Sequence, residues 1–376
     1  MNVTPKKKIK YFNSIDKLQN LSGEEKISLK KVTETFAFRA TDYYLSLINW
    51  QDKNDPIKKL IIPDVKELQK WGEKDPSYEK SYTVAPGLQH KYTQTALFLI
   101  GPTCFGYCRF CFRKRLFMED THEILIDVKP ALDYISKHHE IQNVLLTGGD
   151  PLVLSTSKLK MILTKLAEIK HLINIRIGTK ALAYNPFRVS TDPELLDLFK
   201  DINKKGKRIH IVAQFDHERE FTKHSRKAIN LLIESGCVML TQMPLLRGIN
   251  DSPLTLSNLW NTAVNAGVTP YYLFQCRPTV GNKPFAVPIE EGYRIFEQAK
   301  MNCSGLAKRI KFVMSHATGK IEMVALTEKH IILKYHQAAD PKLIGKTMIF
   351  KRNPNAYWLE DYTELVDEYK IENPFI

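Results

Sequence analysis

The stretch Ala96-Leu97-Phe98-Leu99-Ile100-Gly101-Pro102-Thr103-Cys104-Phe105-Gly106-Tyr107-Cys108-Arg109-Phe110-Cys111-Phe112-Arg113-Lys114-Arg115 joins an apolar run to a loop that carries three cysteines. The run, residues 96–100, reads as a buried strand stopped by glycine and proline. Similar short β-branched or leucine-rich runs recur at residues 143–146, 174–177, 209–214, 237–242 and 270–274. Between them, residues 128–138, 155–169, 192–202, 222–235 and 253–266 have the apolar spacing of one-sided helices. Strands that alternate with helices predict parallel pairing through helical crossovers. The fold class expected is therefore α/β, a partial (β/α)6 TIM-like barrel over residues 96–307, with function at the strand C-termini.

Outside that core the texture changes. Residues 1–95 read as a helical and irregular N-terminal extension, with helix candidates at 23–47 and 65–71 and a proline-bounded approach over 76–86. Residues 308–376 read as a small C-terminal β extension, with strand-like pieces at 310–314, 321–326, 330–335 and 347–351. The acidic stretch 358–372 is expected to be a surface helix or tail.

Composition narrows the class of protein. At 43% hydrophobic and 10% aromatic content, 376 residues suffice for one large domain with extensions or for two domains. No run of about 18 uncharged apolar residues occurs, and the N-terminus, with Lys6-Lys7-Lys8, lacks the apolar core of a secretion signal. A cytoplasmic location without membrane attachment is expected. The net charge of +14 could attract nucleic acid, anionic lipid or an acidic small molecule. Its lysines are scattered apart from short clusters at 6–10, 113–115 and 204–208, with no aromatic-interleaved repeat, so a solvated basic surface is expected rather than a nucleic-acid partner.

Three of the six cysteines fall within eight positions, Cys104, Cys108 and Cys111, which suits a metal site better than a disulfide framework. Three thiolates in Cys-x3-Cys-x2-Cys spacing can ligate three irons of a [4Fe–4S] cubane and leave the fourth open to an external ligand. An amino acid that chelates this iron can then be cleaved reductively. Zinc would need a fourth protein ligand, and no nearby Cys or His stands at the right spacing. Cys237, Cys276 and Cys303 are expected to be inert.

The cysteine loop resembles that of the radical S-adenosylmethionine (SAM) superfamily. The wider chain, from about Gln89 to Lys320, is similar to the lysine 2,3-aminomutase family. The resemblance is carried by His90-Lys91-Tyr92, Leu146-Thr147-Gly148-Gly149-Asp150-Pro151-Leu152 and Arg176-Ile177-Gly178-Thr179. It continues through Leu245-Leu246-Arg247-Gly248-Ile249-Asn250-Asp251 and Tyr271-Tyr272-Leu273-Phe274-Gln275. It implies a radical SAM barrel in which Gly148, Gly149 and Asp150 bind SAM, with Gln214 and Gln242 nearby at strand ends. It implies a second cofactor, pyridoxal phosphate, anchored by a lysine after a glycine-rich turn. The match is Lys320 in Ser315-His316-Ala317-Thr318-Gly319-Lys320, with fewer glycines than the family turn. Where the family has phosphate-binding arginines, this chain has Lys91 and Thr95.

The substrate implied is an amino acid whose carboxylate meets Arg113. The family places two acids at the far end of lysine; here Arg277 stands in place of one, and the other falls near Met314, where no acid occurs. Reversed charge repels a cationic terminus and attracts an anionic one, so the expected substrate is an amino acid other than lysine, acidic or neutral. The expected activity is a 2,3-amino migration, served by an electron donor such as flavodoxin or ferredoxin. Two other readings stay open: a radical SAM enzyme without pyridoxal phosphate that acts on a protein or RNA, and a non-catalytic iron–sulfur protein. The oligomeric state is open as well, a homo-oligomer included.

Overall fold

The computed structural model describes residues 9–118 and 127–371. The basic run at Lys6-Lys7-Lys8 and the last residue of the acidic stretch, Glu372, lie outside the described residues. A two-residue pairing of β1 (Tyr11–Phe12) with β2 (Ala40–Thr41) clips the N-terminal segment together. The remaining strands form one thirteen-stranded sheet in chain order. They are β3 (Thr83–Ala85), β4 (Leu88–Tyr92), β5 (Thr95–Gly101), β6 (Asn143–Gly148), β7 (Asn174–Thr179), β8 (Arg208–Gln214) and β9 (Val238–Pro244). They continue as β10 (Thr269–Phe274), β11 (Lys311–Ser315), β12 (Gly319–Leu326), β13 (His330–Ala338), β14 (Thr347–Lys351) and β15 (Leu365–Tyr369).

Strands β5 to β11 are parallel throughout and helices connect most of them, so the chain folds as a partial TIM-like barrel. The helices start where the chemistry of their first residues directs. Ser155, Asp192, Thr222 and Ser252 each accept a backbone N–H at an N-terminus. Pro193 and Pro253 sit in first turns, where no N–H is missed. In β7, Ile175 and Ile177 are buried while Arg176 and Gly178 point to the other face. This two-residue alternation makes one face of each strand a packing surface for helices and leaves the other as the barrel interior.

The structure corrects several expectations. The strand-like piece at 310–314, placed in the C-terminal extension, forms β11 and pairs parallel with β10, so the parallel run has seven strands rather than six. Residues before 96 are not only helical: β3 and β4 add antiparallel to the first barrel strand. The divisions expected at residues 95 and 307 are thus crossed by one continuous sheet. The helix expected over residues 23–47 stops at Thr35, where the chain turns extended at Phe36. Residues 65–71 hold only a 3-10 turn, Val65–Leu68. The acidic stretch expected as helix or tail contributes edge strand β15, exposed along its length. Pairing with β14 satisfies the backbone, so its polar side chains do not exclude a strand.

The N-terminal segment braces the cysteine loop. Tyr107 N–H donates to Arg39 O at 2.9 Å, and Arg109 N–H to Leu60 O at 3.0 Å. The Arg109 guanidinium, 1% exposed, makes a two-pronged bond to Glu67, also 1% exposed, at 2.9 and 2.8 Å. A buried pair of this geometry fixes the loop but leaves a bare charge if either partner is lost. Among the described residues, no helix is long and apolar enough to cross a membrane.

Candidate active site

The sheet curls so that its antiparallel strands β12 and β13 approach β4 across the barrel interior. Lys91 Nζ on β4 donates to His316 O at 2.6 Å, and Lys320 Nζ on β12 lies 4.4 Å from the ring centre of Tyr92. The result is a cavity of about 310 Å³ at the C-terminal ends of the parallel strands. All twelve residues singled out from the sequence border it: Lys91, Cys104, Cys108, Cys111, Arg113, Gly148, Gly149, Asp150, Gln214, Gln242, Arg277 and Lys320. A more open concavity of about 490 Å³ lies at the N-terminal ends of the strands, away from the cysteines, and shares Arg176, Tyr271, Tyr272 and Gln337 with it.

The three loop cysteines are free thiols, and Cys108 Sγ lies 3.0 Å from the Tyr184 hydroxyl. Burial pushes all three up, Cys108 to about 12. Thiolates in such a place need a metal's positive charge to form. Among the described residues, no three His, Cys, Asp or Glu groups converge on one point as a single ion would demand. Cys237 and Cys303 are buried away from the cavity, whereas Cys276 also borders it.

The Gly148-Gly149-Asp150 turn is locked to the cysteine loop. Gly148 has φ +114°, and a Cβ at Gly149 would lie 2.4–2.6 Å from backbone atoms of Thr103. Gly149 N–H donates to Gly101 O at 2.6 Å and Asp150 N–H to Thr103 O at 2.9 Å. Both glycines are therefore demanded by packing of protein on protein, a requirement invisible in the motif itself. The Asp150 carboxylate is also engaged internally. It accepts from Thr179 Oγ1 at 2.7 and 2.8 Å, Lys180 N at 2.8 Å and Leu152 N at 3.0 Å. Gln214 and Gln242 stand side by side in register, and Gln214 Nε2 reaches Asp216 at 3.2 Å.

Lys180, which also borders the cavity, escaped the sequence reading. Its ammonium donates to Asp216 at 2.6 Å and Glu220 at 2.7 Å. Burial disfavours its charge, but the two carboxylates more than offset this and hold it above the ordinary range. Burial raises Asp216 to about 6 in the same network. Acids at positions 216 and 220, a few residues past the end of β8, were the available signal.

Lys320 is half-buried, donates to Gln337 Oε1 at 2.9 Å and has no ion pair among the described residues. Burial, followed by repulsion from Arg176, Lys91 and Arg277, drives its amine well below the ordinary lysine range. Burial and then Arg277 likewise lower Lys91 to about 8. Arg176 Nε is buried without a hydrogen-bond partner. Among the described residues none of Lys91, Arg176 and Lys320 is in an ion pair, so an anion such as a phosphate ester fits between them. Gly319, however, serves the sheet: a Cβ there would lie 2.2 Å from Gln337 O on β13.

Glu79 is the acid that sequence reasoning missed. It accepts from Arg113 Nε at 3.0 Å and Nη2 at 2.9 Å, and from Arg115 Nη2 at 2.8 Å. Arg277 Nη1 lies 3.7 Å away. Burial would raise the Glu79 carboxyl, but Arg113, Arg277 and Arg115 together hold it far below the usual carboxylate range. Arg113 and Arg277, the two arginines expected at the substrate, thus both face a carboxylate that the chain itself supplies.

A three-thiol loop at the C-terminal mouth of parallel strands, locked to a Gly-Gly-Asp turn, is the working end of a radical SAM enzyme, and residues 98–256 match the Radical SAM superfamily. A chain from Aquifex aeolicus (strain VF5) with the name "Putative L-lysine 2,3-aminomutase" is 52% identical over 365 residues, 97% of this chain and 98% of that one. The L-lysine 2,3-aminomutase of Clostridium subterminale is 34% identical over 301 residues, 79% of this chain and 71% of that one. The glutamate 2,3-aminomutase of Clostridioides difficile (strain 630) is 34% identical over 297 residues, 78% and 69% respectively. The chain belongs to the lysine 2,3-aminomutase family of radical SAM enzymes, and the family implies a [4Fe–4S] cluster and SAM.

Proposed function

We propose that this enzyme moves an amino group between adjacent carbons of an amino acid other than lysine, with pyridoxal phosphate held at Lys320. The observation that carries the reading is Lys320 itself, a half-buried amine that has no acid partner among the described residues and borders the same cavity as Cys104, Cys108 and Cys111. When bound, the cluster, SAM and pyridoxal phosphate supply the hydrogen-abstracting radical and the carrier for the migrating nitrogen. Electrons come from an external donor such as flavodoxin or ferredoxin. The chain's own part is to bind, orient and shield. The depressed Lys320 amine is available as a nucleophile near neutral pH. Lys91 and Arg176 provide donors for a phosphate, and Tyr92, Tyr271 and Tyr272 wall the cavity against water.

Relatives bearing the names of lysine and of glutamate aminomutases support the reaction class and leave the substrate to be argued from the site. Lysine fits poorly. Among the described residues that border the cavity, Glu79 is saturated by arginines and Asp150 by Thr179 and backbone N–H groups, so no carboxylate is free for a terminal ammonium. The test is anaerobic reconstitution with iron, sulfide, SAM and pyridoxal phosphate. Amino acids are then screened for 5′-deoxyadenosine release and for a β-amino product. Borohydride reduction and peptide mapping should place a pyridoxyl group on Lys320. Labelling at another lysine, or 5′-deoxyadenosine release that never responds to an amino acid, would refute the proposal.

A further inference from the structure

Cys108 differs from the other two loop cysteines in what reaches its sulfur. Backbone N–H groups of Asp150 and Arg113 face Cys104 and Cys111. At Cys108 the neighbour is a side chain, the Tyr184 hydroxyl, 3.0 Å from Sγ. Tyr184 is 1% exposed, and among the described residues this sulfur is the one hydrogen-bond partner of its hydroxyl. A phenol so deeply buried needs such a partner, because a stranded hydroxyl is costly. Either atom can donate while Cys108 is a thiol. A metal-bound thiolate carries no proton, so the phenol must then be the donor.

The ring is held so that its hydroxyl stays aimed at the sulfur. Tyr184 ends the short helix Ala181–Tyr184; its N–H donates to Lys180 O at 2.9 Å, and its carbonyl accepts from Thr41 Oγ1 at 2.6 Å. The ring stands edge-on to that of Tyr44, with centres 4.4 Å apart and planes at 83°. Tyr44 is itself fixed, since its hydroxyl donates to Glu220 at 2.7 Å. Lys180 Nζ, pinned by Asp216 and Glu220, lies 5.2 Å from the Tyr184 ring centre. A Cβ at Gly106 would lie 3.2 Å from the same ring, so the cysteine loop packs against it directly. With its backbone tied and its ring packed, the side chain keeps one rotamer.

We propose that Tyr184 is a positioning residue for the cluster: its hydroxyl donates a hydrogen bond to the Cys108 thiolate and so makes the cluster easier to reduce. This rests on the [4Fe–4S] cluster that the family implies, and on neither pyridoxal phosphate nor the choice of amino acid. Hydrogen bonds to ligand sulfur are among the factors that set the potential of an iron–sulfur cluster. Their direction follows from charge. The sulfur carries more negative charge when the cluster is reduced, so a fixed donor stabilises the reduced form more than the oxidised one and raises the potential. The step served is a one-electron transfer: a reduced flavodoxin or ferredoxin is oxidised, the cluster is reduced, and Tyr184 keeps its proton throughout.

The experiment compares the wild-type protein, Tyr184→Phe and protein carrying 3-fluorotyrosine at position 184, each reconstituted anaerobically with iron and sulfide. The readouts are iron and sulfide content and the midpoint potential of the cluster, from a redox titration followed by electron paramagnetic resonance. Tyr184→Phe keeps the ring and its packing and removes the hydroxyl alone. It should load fully and shift the ratio of reduced to oxidised cluster at a fixed potential about tenfold towards oxidised, which for one electron lowers the midpoint by about 59 mV. 3-Fluorotyrosine has a stronger donor hydroxyl and should shift the same ratio about threefold towards reduced. If Tyr184→Phe fails to load, the 3-fluorotyrosine protein, which retains the hydroxyl, decides by the direction of its shift. A loaded Tyr184→Phe protein with the wild-type potential, or a 3-fluorotyrosine protein whose potential stays level or falls, overturns the inference and leaves Tyr184 a packing residue beside an intact cluster. A wild-type protein that takes up no iron–sulfur cluster overturns the cluster assignment and the inference with it.

Discussion

Replacing Gly149 by alanine tests whether the Gly-Gly-Asp turn is first of all a clamp on the cysteine loop. The new Cβ would lie 2.4, 2.6 and 2.6 Å from the O, C and N atoms of Thr103, all backbone, so the loop itself must move. Movement strains two backbone bonds, Gly149 N–H to Gly101 O at 2.6 Å and Asp150 N–H to Thr103 O at 2.9 Å. Losing both costs about 1–3 kcal/mol, and overpacking adds roughly 1–3 kcal/mol. At a tenfold change per 1.4 kcal/mol, a total of about 2–6 kcal/mol lowers the population of the cluster-ready loop by roughly 30-fold to roughly 20,000-fold. Gly178→Ala is the matched control. It borders the same cavity, but its Cβ would meet its neighbours at 3.6 Å or more, an ordinary contact. The assay is iron and sulfide content after anaerobic reconstitution, with the visible absorbance of the cluster. Gly149→Ala should load poorly and Gly178→Ala fully. Full loading of Gly149→Ala would refute the clamp and restore a purely ligand-binding reason for the glycine.

Ala substitutions at Cys104, Cys108 or Cys111 should abolish cluster assembly and SAM cleavage, while Cys237→Ala and Cys303→Ala, buried elsewhere, should leave iron content unchanged. Glu67→Gln should destabilise the protein by about 3–5 kcal/mol, because it bares the buried Arg109, and Glu67→Leu with Arg109→Met should recover most of that loss in a thermal melt. Lys91 gives a pH signature. Its charged form is disfavoured in the folded state, so the penalty is fully present below about pH 8 and is relieved as pH rises from about 8 towards the unfolded value of 10.5. A phosphate ligand needs the protonated form. The affinity of 4′-deoxypyridoxine phosphate, which cannot react with Lys320, should fall about tenfold between pH 7 and pH 9, and a flat profile in titration calorimetry would remove Lys91 from the phosphate site.

Local pattern was enough to read the parallel barrel and its cysteine loop. The two-residue alternation of Ile175 and Ile177 against Arg176 and Gly178 places Arg176 in the interior, because side chains on a strand must alternate faces. The cysteine spacing likewise acts within one loop. The direction of β11 was not legible, since a short apolar run pairs equally well either way and only the path of the preceding helix, Ile289–Met301, decides. The acidic segment that became β15 misled for a related reason: edge pairing with β14 outweighed its polar composition.

What the sequence determined by itself was the set of chemical groups, three thiols, a Gly-Gly-Asp turn, Lys320 and two arginines, because each is announced by neighbours within a few residues. What the tertiary structure alone decided was which charges meet. Glu79 reaches Arg113 from 34 positions away, and Lys91 reaches His316 from 225. Those pairings come from the curl of the sheet and the path of the segment that carries Glu79, and the energy of a buried charge depends on what the fold brings within a few ångströms rather than on its neighbours in the chain.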